Sequence, residues 1–119
     1  MDKEHRRQLR KEYNKIKIYM GVIKVTNTSN GKMFVSGFPN LKNKWLTLKA
    51  HMESGRHPNA AFQKDWNTFG ADAFTYEVLE QKATDTIADV PWEVKMMEKS
   101  WLLKLQPFGE KGYNKPPKM

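Results

Sequence analysis

The chain has no cysteine, and this absence limits the chemistry open to it. Disulfide bonds and thiolate nucleophiles are excluded, and a cytoplasmic location is the default expectation for such a chain. The three histidines, His5, His51 and His57, do not have the spacing of zinc ligands, so a structural zinc site is not expected.

Long apolar runs are also missing. No window approaches the roughly eighteen continuous apolar residues of a membrane-spanning helix, and the mean hydropathy is −0.79. No signal-peptide pattern opens the chain. For 119 residues, we therefore expect one domain with a modest core and no association with a membrane.

Positive charge is abundant and unevenly placed. The formal net charge is +8, but residues 1–49 hold twelve Lys and Arg against three Asp and Glu, a balance of +9. A basic half on an otherwise neutral domain indicates a polyanion partner. The alternatives are a solubilising surface and an acidic protein partner. The candidate phosphate contacts for weak, sequence-tolerant binding to DNA are Arg6, Arg10, Lys42, Lys44 and Lys49.

The first half of the chain reads as a helix, a hairpin and a second helix. A basic helix is predicted over residues 2–17, ahead of a domain that spans residues 18–119. Residues 20–25 and 32–36 are short β-branched or aromatic runs, which favours a hairpin with Gly21, Ile23 and Val25 on one face and Phe34 and Ser36 on one face of the partner.

A helix is predicted from Leu41 to about Glu53, with Asn40 as its N-cap. Its apolar stripe faces the core, and the members of that stripe are Leu41, Trp45, Leu48 and Met52. At 100° per residue, Lys44 and His51 lie beside this stripe on one flank. Lys44 is thus placed to face a substrate groove at the rim of the core.

The second half adds a short helix, a strand and a last helix. The helix is predicted over residues 59–69, with Gly70 in a left-handed position after it, and the strand runs over residues 74–79. Residues 80–91 are polar and irregular in this interpretation, and the last helix spans about 91–105 with Pro91 in its first turn. The fold class is α/β or α+β, a small domain on a three-stranded sheet.

These segments carry a resemblance to a known family. The order Gly21-Val22-Ile23, Phe34-Val35-Ser36 and a helix bearing Lys44 resembles the GIY-YIG endonuclease domain, in which G-I-Y, then Y-I-G, precede a helix with an arginine. The likeness covers residues 19–116. It implies a three-stranded antiparallel sheet flanked by helices. It also implies a site that contains Glu98 at the position of the metal-binding glutamate and Asn114 at the late asparagine.

The resemblance places apolar residues where the family uses tyrosine. Ile23 and Phe34 occupy the two tyrosine positions, and a one-residue shift that aligns Gly37 with the second glycine puts Val35 there instead. None of these side chains can donate or transfer a proton. Lys44 replaces the arginine and loses its planar bidentate fork. Efficient catalysis is therefore not expected, and Glu98, Lys44 and Asn114 are interpreted as a remnant catalytic site.

Glu98 lies within the apolar stripe of the last helix, where a carboxylate needs a partner or a metal ion. We expect Lys95, Lys44 or a backbone donor as that partner. Three hypotheses follow for the chain. In the first, it is a catalytically impaired domain that acts as a nucleic-acid-binding or regulatory module. Alternatively, it is an active metal-dependent endonuclease that uses a bound water and Lys44. The third alternative is a protein-interaction module. No cofactor is expected, and Mg²⁺ only under the nuclease hypothesis.

Overall fold

The computed structural model of the chain describes residues 17–116, which fold as three strands and three helices. The bounds are β1 Tyr19–Asn27, β2 Met33–Phe38, α1 Lys44–Glu53, α2 Ala60–Phe69, β3 Phe74–Ala83 and α3 Val90–Leu105. None of these helices combines the length and the apolar character that a membrane crossing requires. The helix predicted over residues 2–17, with Arg6 and Arg10, lies outside the described residues except for Lys17.

The three strands form one antiparallel sheet in the order β2-β1-β3, which confirms the expected α+β architecture. On β1 and β2, Ile23 pairs with Ser36 and Val25 pairs with Phe34. Paired residues project to the same face of a sheet. The predicted sharing of one face by these side chains is therefore confirmed. A bulge interrupts the pairing of β1 with β3 between Val22 and Ile23.

Both faces of the central strand β1 are buried, and each face contributes to its own core. Helices α1 and α2 cover one face, where the buried residues are Ile23, Val25, Leu48, Met52, Phe62, Trp66, Phe74 and Tyr113. Helix α3 covers the other, where they are Met20, Val22, Val35, Val94, Met97 and Leu102. The alternation of β1 thus separates the groups that face α1 from those that face α3.

Helix α1 begins at Lys44, so the predicted start at Leu41 and the predicted N-cap at Asn40 are wrong. The Asn40 side chain instead accepts a hydrogen bond from the Lys42 N–H at 3.0 Å, which closes a turn. Asn43 then takes a left-handed conformation with φ of 56° and makes no side-chain cap hydrogen bond. Three residues of the predicted helix therefore form a loop at the rim of the sheet.

Strand β3 and helix α3 also differ from the predicted bounds. β3 continues to Ala83 instead of ending at Leu79, because the start of β1 extends far enough to pair with it. α3 begins at Val90, and the Asp89 carboxylate caps it by accepting from the Trp92 N–H at 3.1 Å. Gly70 has a positive φ of 83° as predicted, but its ψ of 162° is outside the left-handed helical region.

Candidate functional site

A groove of about 320 Å³ opens between β2, α1 and the loop that follows α1. We name it the β2–α1 groove, and its lining residues are Phe34, Ser36, Phe38, Lys44, Thr47, Leu48, His51, His57 and Pro58. The predicted placement of Lys44 and His51 on one flank of α1 brings both into this lining. The groove lies over the sheet face that carries the resembled motifs.

Apolar side chains occupy both positions at which the resembled motif has tyrosine. Phe34 lines the groove, and Ile23 is buried below it. Ile23 is fully buried beneath the helices. Phe34 stacks on Phe62 with ring centroids 4.6 Å apart and meets the edge of His57 at 5.4 Å. Val35 projects to the opposite face and packs in the α3 cluster. The register of the sheet therefore places Phe34, and not Val35, at the groove.

Only one of the three candidate lysines on or near α1 lines the β2–α1 groove. The Lys44 Nζ lies 4.6 Å from the centre of the Phe38 ring, a cation–π distance. Lys49 instead lies over Trp45 at 5.4 Å, and Lys42 is exposed in the loop before α1. The ammonium group of Lys44 is thus held at the mouth of the groove.

Glu98 stands on α3 and is bound by the backbone of β2. Its Oε2 accepts a hydrogen bond from the Gly37 N–H at 2.8 Å. Of the expected partners of Glu98, the backbone donor is therefore present, but neither Lys95 nor Lys44 forms a salt bridge with it. The salt bridges within residues 17–116 are Lys17–Asp85, Lys24–Glu77 and Lys82–Glu93. Glu98 does not line the groove, but its hydrogen-bond partner lies between Ser36 and Phe38, which do.

Asn114 joins the C-terminal segment to the outer edge of β2. Its Oδ1 accepts from the Val35 N–H at 2.9 Å, and its Nδ2 donates to the Val35 carbonyl at 2.7 Å. The preceding Tyr113 N–H donates to the Met33 carbonyl at 2.9 Å. Both polar ends of the Asn114 side chain are therefore occupied by backbone groups. The residue holds β2 in place and is not directed into the groove.

The fold of the described chain is similar to that of two solved structures. The catalytic domain of intron endonuclease I-TevI, in a mutant form, aligns with a TM-score of 0.68 and 22% identity over 82% of this chain and 93% of that domain. The catalytic domain of homing endonuclease I-TevI aligns with a TM-score of 0.65 and 23% identity over 80% of this chain and 96% of that domain. The chain has the GIY-YIG fold. No protein-family model and no curated protein matches the chain.

The resemblance to GIY-YIG endonucleases predicts that Glu98 binds a divalent cation, and the geometry around Glu98 bears on that prediction. Mg²⁺ is commonly held by one or two carboxylates together with substrate phosphates and water. Glu98 Oε2 is engaged by Gly37, and its other oxygen could supply one ligand. Within residues 17–116 no group of three or more His, Cys, Asp or Glu gathers around a possible ion. A bound ion would supply Lewis-acid polarisation of the phosphate.

Two histidines that line the β2–α1 groove, His51 and His57, were not among the site residues predicted from the sequence. The His51 and His57 rings lie 5.5 Å apart. Burial, together with the neighbouring His51, lowers the pKa of His57. The His57 Nδ1 accepts from the Asn59 N–H at 3.0 Å, so the neutral ring carries its proton on Nε2 and can donate it to an anion. The α1 periodicity indicated His51, but His57 lies in a loop that no local pattern places.

We expect Asn114→Ala to lower the free energy of unfolding by about 2 kcal/mol, because two backbone groups of Val35 lose their partners. Chemical denaturation of the purified protein measures this change. Asn40→Ala is the matched control, since that side chain is exposed and hydrogen-bonds only within its own turn. Unchanged stability in Asn114→Ala would contradict the structural role and return Asn114 to the candidate catalytic residues.

Proposed function

We propose that this chain is a nuclease-like domain with impaired catalysis that acts by binding nucleic acid. The observation that carries the proposal is the apolar character of both motif tyrosine positions. Ile23 is fully buried and Phe34 is packed against Phe62. Neither side chain carries a group that can activate water. The fold itself is that of a nuclease domain, and the loss of efficient hydrolysis is the proposed step beyond it.

Phosphodiester hydrolysis needs an activated water and donors that stabilise the charge formed in the transition state. Loss of one such donor commonly costs about 10²–10³ in rate. Here two hydroxyl groups are replaced by hydrocarbon. The remaining cation, Lys44, is a single point charge that lies against the Phe38 ring. The absence of both hydroxyl groups, together with a lysine in place of the arginine, supports a domain that has the groove but does not hydrolyse phosphodiesters efficiently.

Nucleic-acid binding is supported by the charge around α1. Lys42, Lys44 and Lys49 form no salt bridge with any residue that the structure describes. Helix α1 has no acidic residue in its first turn. Lysine contacts to phosphate are insensitive to base sequence, which supports sequence-tolerant binding. Both structural neighbours are, by their names, catalytic domains of an endonuclease.

An active endonuclease is the second candidate, and the His51–His57 pair favours it. Both rings line the same groove as Lys44. His57 can donate its Nε2 proton to a phosphate oxygen, and Glu98 has one oxygen that could bind a cation. What this arrangement lacks is a hydroxyl group at the two tyrosine positions. The two candidates therefore differ in one measurable property, cleavage.

We expect the purified protein to nick supercoiled plasmid DNA in the presence of Mg²⁺ or Mn²⁺ no faster than its Glu98→Gln variant. Glutamine retains an acceptor for the Gly37 N–H but removes the negative charge that a cation requires. The measurement is the rate of conversion to nicked circles on agarose gels. Metal-dependent nicking that is at least tenfold faster in the wild type would establish the active endonuclease and overturn the proposal.

A further inference from the structure

A second and larger groove, of about 700 Å³, shares Lys44 with the β2–α1 groove. It lies between the start of β1, the loop before α1, the first turn of α1 and the middle of β3. We name it the β1–β3 groove. The residues of its lining that matter here are Lys17, Ile18, Tyr19, Lys42, Leu46 and Val78. Its volume lies within the range of pockets that hold small organic molecules.

The β1–β3 groove concentrates exposed apolar surface. Seven large apolar side chains are exposed within residues 17–116, and four of them line this groove. These are Ile18 at 50% exposure, Tyr19 at 41%, Leu46 at 64% and Val78 at 41%. Single exposed apolar residues are ordinary, but a cluster of them marks a binding surface. The cluster needs an occupant that presents an apolar or aromatic face.

The rim of the groove is positively charged. Lys17, Lys42 and Lys44 belong to the lining, and no aspartate or glutamate does. Lys17 forms a salt bridge with Asp85 at 4.0 Å, and both side chains are more than half exposed, so this pair neutralises little charge. The amino end of α1 also opens here and adds partial positive charge to that of the lysines. The occupant is therefore anionic as well as apolar.

The groove also has an aromatic wall. Trp45 and Tyr76 stack with ring centroids 5.2 Å apart and an interplanar angle of 19°. Both residues line the groove beside the more exposed Tyr19. Proteins that bind single strands combine lysines along the backbone with aromatic faces on which bases stack. An unpaired nucleotide supplies both the anion and the flat face that this groove requires.

We propose that the β1–β3 groove binds unpaired nucleotides of a single-stranded or locally opened nucleic acid, an inference that rests on the proposed nucleic-acid-binding function. A duplex presents phosphates and sugars to a surface and keeps its base faces stacked. It would therefore cover the exposed apolar side chains with charged groups. A free base instead buries Tyr19 and Leu46 while its phosphates meet Lys42 and Lys44.

The position of Lys44 favours nucleic acid over an acidic peptide as the occupant. Lys44 lines both the β1–β3 groove and the β2–α1 groove. Because Lys44 is common to both linings, a strand whose phosphate contacts Lys44 is within reach of both grooves. The unpaired nucleotide would thus lie next to the β2–α1 groove, the candidate functional site. A nucleic-acid strand has a phosphate at every nucleotide to contact the lysine shared by the two grooves, whereas an acidic peptide does not have this regular spacing of charge.

The test measures binding by fluorescence anisotropy at constant low salt. The probes are a labelled oligothymidylate of about twelve residues and a blunt duplex of the same length. We expect the wild type to bind the oligothymidylate more tightly than the duplex. Tyr19→Ala should weaken that binding about tenfold and leave the duplex unchanged. Lys42→Ala should weaken both about threefold, because it removes only a phosphate contact. Leu103→Ala, an exposed leucine on α3, is the matched control and should change neither.

Circular dichroism first confirms that each variant is folded. Equal or tighter binding of the duplex by the wild type would overturn this inference and leave the proposed function standing. An unchanged affinity of Tyr19→Ala for the oligothymidylate would overturn it in the same way. Failure of both probes to bind at low salt would refute the proposed function as well. The exposed apolar cluster would then be assigned to an acidic protein partner.

Discussion

Gly21→Ala is expected to lower the free energy of unfolding by about 3 kcal/mol, measured by chemical denaturation. A Cβ atom at this position would overlap the carbonyl oxygen of Glu80 and lie 2.8 Å from Leu41 Cδ1. The first of these neighbours is backbone. Relief of the overlap therefore requires β3 to move away from the central strand, which disrupts the pairing that organises both cores.

Gly37→Ala is the matched control for this prediction, because Gly37 is also a strand glycine. Its added Cβ would lie 2.8 Å from Val94 Cγ1 and 3.2 Å from Glu98 Oε2. Both neighbours are side-chain atoms that can rotate, so we expect a loss of about 1 kcal/mol. Equal losses in the two variants would show that backbone approach between β1 and β3 is not what requires a glycine at position 21.

Raising the salt concentration from about 50 mM to about 200 mM is expected to weaken DNA binding about a hundredfold. If about four phosphates are neutralised, the log–log slope of affinity against salt is about −3 to −4. Lys42, Lys44 and Lys49 are the candidates for three of these contacts within residues 17–116. Arg6 and Arg10, outside the described residues, are the remaining candidates. Anisotropy titrations at four or so salt concentrations measure the slope.

The assignment of individual lysines to phosphates is testable in the same titrations. Lys44→Ala should make the slope less negative by about 1, because one counterion fewer is released. Lys99→Ala is the control, since Lys99 is exposed on α3, away from both grooves. A flat salt dependence in the wild type, or equal effects of the two variants, would contradict phosphate contact by the α1 lysines.

Local patterns predicted the three strands, apart from the end of β3, and several of the residues that line the β2–α1 groove. The alternation of apolar residues in β1 and β2 placed Ile23 and Phe34 on one face, and the register confirms it. Helical periodicity placed Lys44 and His51 together, and both line the groove. The start of α1 was wrong because Asn40 can cap a helix or close a turn, and the turn is what forms. Local propensity does not distinguish these two uses of asparagine.

The sequence by itself determined that the candidate site has no hydroxyl group at the two tyrosine positions of the resembled motif, because Ile23 and Phe34 occupy them. Tertiary structure alone decided what the surviving polar residues do. Glu98 meets Gly37, 61 residues earlier, and Asn114 meets Val35, 79 residues earlier. Likewise, the β1–β3 groove joins residues from β1, α1 and β3. Hydrophobic periodicity reports which face of an element is buried, but hydrogen-bond partners this far apart depend on how the packed elements finally meet.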